Sequence, residues 1–99
     1  MPAYVISDVR PKEGEALQLY RSRAAASIAT YGGKYLARGG EITALEGDWA
    51  PAAIIIVEFA DKETARAWYR SPEYAEALSV RDQALSRSLI LVDGIGSAI

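Results

Sequence analysis

Two charged residues stand in otherwise apolar stretches of this 99-residue chain, Arg38 in YLARGG and Glu58 in IIIVEF. An arginine in such a place can hold a carboxylate or enolate-like oxygen of a ligand, and a glutamate can orient the arginine or act as a base. The sequence has no cysteine and no histidine. This excludes a thiolate nucleophile, a Ser-His-Asp triad, a thiolate or imidazole zinc site and histidine-ligated haem. Arg38 and Glu58 are therefore the candidate catalytic residues.

Three aromatic side chains are candidates for the walls of a ligand site beside this pair. Tyr4 lies early in the first apolar segment, and Trp49 follows the acidic stretch LEGD, where it has no core of its own. Tyr69 is adjacent to Trp68 in a predicted helix, so their rings point about 100° apart. We expect Trp68 in the core and Tyr69 beside a pocket or an interface. Tyr4, Trp49 and Tyr69 are thus predicted to bind a ligand together with the arginine and the glutamate.

The glycine pair 39–40 and the acidic residues Glu46 and Asp48 predict neither a cofactor nor a metal site. The Lys-Ser/Thr of a Walker loop does not follow the glycines and no helix begins there, so a β-bulge is the expected role of the pair. An acidic hairpin tip is usually just solvated. We expect no cofactor and no bound metal.

Composition limits the class of protein and its partners. Apolar residues make up 51% of the chain, enough for one core and for part of a second surface. The 11 basic and 13 acidic residues form no long block of either sign, so no nucleic-acid partner is expected. The longest apolar run, 52–57, is too short to span a membrane, and the N-terminus lacks a signal-peptide pattern. We expect a cytoplasmic protein with one domain, 1–99, and no membrane partner.

The periodicity of apolar residues changes along the chain in the order strand, helix, strand, strand, helix, strand. Strands are predicted at 3–9, at 34–47 with an interruption at 39–40, at 52–60 and at 88–94. Helices are predicted from Glu13 to about Tyr31, after Asp61 as N-cap, and after the N-cap pair Ser71-Pro72. The glycine pair 32–33 ends the first helix.

This order is the ferredoxin-like βαββαβ arrangement, an α+β fold with a four-stranded antiparallel sheet and helices on one face. The other face then carries large apolar side chains, namely Tyr4, Ile6, Ile54 and Ile56, extended by either Leu89 and Leu91 or Ile90 and Val92. Burying each one is worth roughly 1.5 to 3 kcal/mol, so such a face is not expected to stay in water. A second copy of the chain most simply covers it, which predicts a homodimer.

The stretches YLARGG, LEGDW, IVEF and WYRSPEY, in that order and spacing, resemble the uncharacterised bacterial family catalogued as domain of unknown function 1330. The resemblance extends from Tyr4 to about Gly94. This family belongs to the dimeric α/β-barrel superfamily, which implies a homodimer whose two sheets face each other as a barrel. The superfamily includes cofactor-independent monooxygenases, muconolactone isomerase-like enzymes, haem-degrading enzymes and proteins with no known activity. Membership therefore implies no particular reaction.

A hairpin that turns near residues 48–51 would bring Arg38 close to Glu58, if the glycine pair forms a bulge. Alternation places Glu58 on the face away from the helices, and Arg38 is expected to join it there, with Tyr4 at the same level. Two charges in an apolar barrel are costly unless they are paired or solvated by a pocket. The pair is either a ligand site or a buried ion pair that determines strand register and dimer geometry.

Two functions follow from these alternatives. The first is a small cofactor-independent enzyme or binding protein for an organic acid or aromatic metabolite, held between sheet and helices near the arginine. The second is a non-catalytic dimeric structural or interaction module. A cavity of roughly 300 Å³ or more beside Arg38 would favour the first, and a tightly filled barrel the second.

Overall fold

The computed structural model describes residues 1–95 and contains the strands and helices in the predicted order. The strands are β1 (Ala3–Pro11), β2 (Lys34–Arg38), β3 (Ala53–Phe59) and β4 (Leu85–Asp93). The helices are α1 (Glu15–Thr30), α2 (Lys62–Tyr69), α3 (Pro72–Leu78) and α4 (Arg81–Ala84). The helix predicted after Ser71-Pro72 is thus divided into α3 and α4. No helix within 1–95 has the length and apolar character needed to cross a membrane.

The four strands form one antiparallel sheet in the order β2-β3-β1-β4. The first strand of the chain lies inside the sheet, where Tyr4 is opposite Glu58 on β3 and Val92 on β4. The predicted level of Tyr4 beside Glu58 is confirmed. The strand order and the helices between the strands confirm the ferredoxin-like α+β fold.

The hydrophobic core lies between one face of the sheet and the helices. Alternate residues of β1, including Val5 and Val9, are buried there against α1, α2 and α3. Trp68 on α2 is the centre of an aromatic cluster, with its ring centroid 4.2 Å from that of Tyr74 and 5.4 Å from that of Phe59. The predicted core position of Trp68 is confirmed.

The helix caps predicted from sequence are present. The carboxylate of Asp61 accepts a hydrogen bond of 2.7 Å from the backbone N–H of Thr64 at the start of α2. The Ser71 hydroxyl accepts one of 3.0 Å from the N–H of Tyr74, with Pro72 at the first position of α3. Each cap satisfies a backbone donor that has no partner within its helix.

Strand β2 is shorter than predicted and its bulge is elsewhere. The prediction of a strand over 34–47 is wrong beyond Arg38, because 39–52 form a mostly exposed connection without regular structure. Gly39 has φ of 72°, the left-handed conformation that glycine adopts freely, and its N–H bonds to the Ile54 carbonyl at the end of the ladder. The bulge lies between Tyr35 and Ala37 rather than at the glycine pair.

The bulge reverses the face on which Arg38 lies. One extra residue in β2 places Arg38 opposite Ile55, which packs against the core, whereas Glu58 is opposite Lys34. A register shift of one residue moves a side chain to the other side of a sheet. The predicted pairing of Arg38 with Glu58 on the face away from the helices is therefore wrong.

We call the sheet surface turned away from the helices the open face. Its large apolar side chains are Tyr4, Ile6, Ile54, Ile56, Ile90 and Val92. The alternative with Ile90 and Val92 is the correct one, because Leu89 and Leu91 pack against the core instead. Ile90 is 56% exposed and Val92 is 40% exposed. An apolar surface of this kind is typical of an interaction site.

Candidate functional site

A cavity of about 390 Å³ lies between the sheet and α1 and is lined by residues from all four strands. We call it the helix-side cavity. Its polar and aromatic walls are formed by Ser7, Tyr20, Arg21, Tyr35, Arg38, Trp68, Tyr74 and Arg87, and aliphatic side chains complete the lining. The volume falls within the range of small-molecule sites, roughly 300 to 1,000 Å³.

The charges around the helix-side cavity are all positive. Its charged lining residues are Arg21, Arg38 and Arg87, and no acidic side chain joins them. Neither Arg38 nor Arg87 makes an ion pair with any residue of the described range 1–95. Arginine donors beside an apolar cavity favour an anionic ligand group, with which they form charge-assisted hydrogen bonds.

One wall of the cavity is a hydrogen-bonded chain of three side chains, which we call the Arg87 cluster. The hydroxyl oxygens of Tyr20 and Tyr74 are 2.8 Å apart, and Arg87 Nη1 donates to the Tyr20 hydroxyl. The guanidinium carbon lies 5.6 Å from the centre of each ring. Burial, and secondly the neighbouring Tyr20, raises the pKa of Tyr74 above its ordinary value of 10.0. Tyr74 therefore keeps its proton at neutral pH.

A second cluster, which we call the Arg38 cluster, consists of Arg38 and Tyr35. The guanidinium carbon of Arg38 lies over the Tyr35 ring, 4.3 Å from its centre, in a cation–π contact. Residues three apart in a regular strand point to opposite faces, and the bulge in β2 brings these two to the same face. Burial raises the pKa of Tyr35, and the charge of Arg38 partly opposes this effect.

Trp68 provides an apolar wall, because its polar group is already occupied. Its indole N–H donates to the Ser27 hydroxyl at 3.0 Å, and that hydroxyl donates to the Ala24 carbonyl at 2.8 Å. The indole ring, which also packs against Tyr74 and Phe59, therefore contributes apolar surface to the cavity lining. A planar or aromatic ligand body would pack well against such a ring.

The family model described as domain of unknown function (DUF1330) matches residues 2–95. The chain belongs to the DUF1330 family. This confirms the resemblance carried by the four sequence stretches from YLARGG to WYRSPEY. No curated protein matches the chain.

Solved structures similar to this DUF1330 protein share its fold. A protein of unknown function from Rhodopseudomonas palustris has a TM-score of 0.76 and 23% identity, over 96% of this chain and 83% of that chain. A dimeric protein of unknown function with a ferredoxin-like fold from Bacteroides fragilis has a TM-score of 0.60 and 12% identity, over 94% and 96%. SnoaB, a cofactor-independent oxygenase from Streptomyces nogalater, has a TM-score of 0.59 and 10% identity, over 98% and 96%. At these identities the similarity shows a shared fold and no more.

Only Arg38 of the predicted site residues lines the helix-side cavity of the DUF1330 protein. Tyr4 and Glu58 are opposite each other on the open face. Trp49 lies in the 39–52 connection, where its indole N–H donates to Asp8 Oδ2 at 3.2 Å. The structure therefore does not gather the five residues into one site, and their ligand-binding and catalytic roles stay predictions.

Tyr69 lies in a separate, smaller groove of the DUF1330 protein. This groove has a volume of about 240 Å³ and is also lined by Leu89 and Ile90. The Tyr69 ring makes an edge contact with Trp68, with centroids 6.2 Å apart. The expected core position of Trp68 and the expected position of Tyr69 beside a pocket are thus confirmed. The pocket beside Tyr69 is not the one that Arg38 lines.

The Arg87 cluster was missed at the level of sequence. Tyr20 belongs to the predicted apolar stripe of α1, and Tyr74 follows the cap at Ser71, so both had the pattern of core residues. The last strand was predicted from residue 88, although it begins at Leu85. A signal for Arg87 was nevertheless present, because it alternates in phase with Leu85 and Leu89, and an arginine in a buried phase indicates a function.

Proposed function

We propose that this DUF1330 protein binds a small organic acid with an apolar or aromatic body in the helix-side cavity. The observation that carries the proposal is a cavity of about 390 Å³ with three arginines and no acidic residue in its lining. Apolar walls with a few well-placed polar groups are typical of small-molecule sites. The cavity favours a ligand-binding protein over a purely structural module.

The side chains around the cavity suggest how such an acid would be held. Arg87 forms charge-assisted hydrogen bonds with the ligand anion, with the Tyr20 and Tyr74 hydroxyls beside it. Arg38 keeps the ligand-binding role that its sequence context predicted, now from the helix side of β2. Trp68 provides an apolar wall for the ligand body.

We further propose that the protein is a homodimer in which two open faces meet as a barrel. Six large apolar side chains of the open face support this arrangement, and the similar Bacteroides fragilis protein is described as dimeric. The carboxylate oxygen Asp8 Oδ1, on the same face, is buried without a hydrogen-bond partner within 1–95. Glu58 and Tyr4 then belong to the dimer interface rather than to the acid site.

Catalysis in the same cavity is the second candidate function. The Arg87 cluster lines the cavity with residues that carry N–H and O–H donors, and such donors stabilise an enolate-like oxygen as charge develops on it. The fold shared with SnoaB, a cofactor-independent oxygenase, agrees with a site that needs no cofactor. Turnover of a bound aromatic acid or phenol, followed by mass spectrometry, tests this candidate directly.

Thermal unfolding with a set of small aromatic and aliphatic carboxylates tests the binding proposal. An acid at 100 times its Kd adds about 2.7 kcal/mol to the free energy of unfolding, which raises Tm by roughly 10 to 20 °C in a domain of this size. The neutral carboxamides of the same acids are the ligand control. Arg87→Met should abolish the shift, whereas Arg70→Met, outside the cavity, should preserve it.

Two results would contradict the proposed binding of an acid in the helix-side cavity. A library in which acids and amides shift Tm alike, or not at all, would show that the arginines do not select an anion. An equal shift in Arg87→Met and Arg70→Met would place binding outside the helix-side cavity.

A further inference from the structure

We infer that the helix-side cavity takes a dianion, a small molecule with an acidic group at each end of an apolar body. This inference rests on the proposed acid-binding function and names the class of acid. It follows from two donor clusters that line one cavity but lie at opposite edges of the sheet. Each cluster combines an arginine with tyrosine and carries no acidic partner within 1–95.

The Arg87 cluster has one hydroxyl proton without an acceptor. Arg87 donates to the Tyr20 oxygen, and a single hydrogen bond joins the Tyr20 and Tyr74 hydroxyls. That bond uses one of the two phenolic protons, whichever ring donates it. Within 1–95 neither hydroxyl has a further acceptor, so the second proton remains available.

The cluster keeps free hydrogen-bond donors, namely guanidinium N–H groups and the unused phenolic O–H. Arginine has five N–H donors and no acceptor. The Tyr20 and Tyr74 hydroxyls together add one more donor to the same wall. The complementary ligand group is an oxygen anion that only accepts hydrogen bonds, such as a carboxylate.

The Arg38 cluster is too far away to share that carboxylate. Arg38 lies on β2 and Arg87 on β4, the two edge strands, which are three inter-strand spacings or about 14 Å apart. Arg38 is opposite Ile55 and Arg87 is opposite Val9, which adds one two-residue step along the strands. Each guanidinium is also engaged by its own tyrosine. The two arginines thus form separate anion sites.

The surface between these two sites is apolar. The central strands contribute Val5, Val57 and Ile55 to the cavity lining, and Trp68 closes it from the helix side. A monoanion can engage only one of the two clusters and leaves the donors of the other without an ionic partner. A dianion engages both clusters and places its apolar body against the central strands.

Titration calorimetry with matched pairs of ligands tests the inference. Benzene-1,4-dicarboxylate is compared with 4-carbamoylbenzoate, which has the same shape and one charge fewer, and hexanedioate with its half-amide. In at least one pair the dianion should bind about tenfold more tightly, equivalent to about 1.4 kcal/mol. Hexanedioate and its half-amide are flexible, so the result of the test does not depend on the fixed geometry of the benzene ring.

Variants locate the effect at the two clusters. Arg38→Met and Arg87→Met should each reduce the affinity for the dianion to that for its half-amide. Arg70→Met should preserve the tenfold difference, because Arg70 lies outside the helix-side cavity. Tyr20→Phe should weaken binding through the lost donor, with Tyr31→Phe, whose hydroxyl bonds to Glu73 elsewhere, as its control.

The outcomes separate this inference from the function on which it rests. Equal affinities within both ligand pairs in the wild-type protein, with binding retained, would overturn the dianion and leave an acid-binding protein. A dianion preference that survives Arg38→Met would also overturn it. If no acid binds the wild-type protein, both the dianion and the acid-binding function are wrong.

Discussion

Gly33 is required because its neighbours leave no room for a side chain. Its substitution tests the packing of the core most directly. A methyl group added there would lie 2.6 Å from Ile28 Cγ2 and 2.9 Å from Phe59 Cε1. Both side chains are buried, and the Phe59 ring packs against Trp68 at an interplanar angle of 34°. Because these neighbours have little room to move, Gly33→Ala should reduce the free energy of unfolding by about 2 to 3 kcal/mol, at the high end for an overpacked core.

Two other glycines are matched controls with different expected costs. Gly32, the preceding residue, has φ of 72° and no atom within 4 Å of an added methyl group. Gly32→Ala should therefore cost only the left-handed conformation, about 1 kcal/mol. Gly40 has no positive φ and open space around it, so Gly40→Ala should be nearly neutral.

Urea and thermal unfolding of the three variants should be compared at equal protomer concentration, because association contributes to the stability of a dimer. For a domain of this size, the loss in Gly33→Ala corresponds to a fall in Tm of roughly 10 to 20 °C. If Gly33→Ala instead unfolds at the same urea concentration and temperature as Gly40→Ala, the close contact between the end of α1 and Phe59 is wrong. If Gly32→Ala is the most damaged of the three, backbone strain rather than packing dominates at this helix end.

Three further predictions concern the open face, the strand register and the buried phenols. Ile56→Asp places a carboxylate in the open face and should give monomers or unfolded chains, and light scattering that shows an unchanged dimer would refute the proposed interface. Arg38→Met and Glu58→Gln lie on opposite faces, so their effects on the free energy of unfolding should add within about 0.5 kcal/mol. A larger coupling in chemical unfolding would contradict the bulged register. Because folding raises the pKa of Tyr74, its contribution to stability is complete below the ordinary value of 10.0 and is lost as pH rises above it. The loss should reach up to about 1.4 kcal/mol per pH unit, and Tyr74→Phe should remove that part of the slope.

The element order and the helix caps could be predicted from the sequence, because they depend on neighbours along the chain. Alternation in β1 requires only that one side of a strand be apolar, and it correctly separated Val5 from Tyr4. The caps at Asp61 and Ser71 require only a side-chain oxygen within reach of the next turn. The family match also depends on sequence alone.

The register of β2 could not be predicted in this way. No glycine stands between Tyr35 and Ala37 to indicate a bulge there, so the bulge was predicted at the glycine pair 39–40 instead. The bulge arises from the way β2 pairs with β3, and Gly39 uses its positive φ to end the strand. A register shift of one residue therefore places Arg38 on the helix side of the sheet, whereas Glu58 lies on the open face.

What the sequence by itself determined is the class of fold and the face of each residue in β1 and β3, since both follow from local periodicity. The proposed acid site depends on tertiary structure. Tyr20 is 54 positions from Tyr74 and 67 positions from Arg87 along the chain, yet their polar atoms are hydrogen-bonded. No local pattern encodes such a contact, because it forms only when α1, α3 and β4 pack around the same cavity.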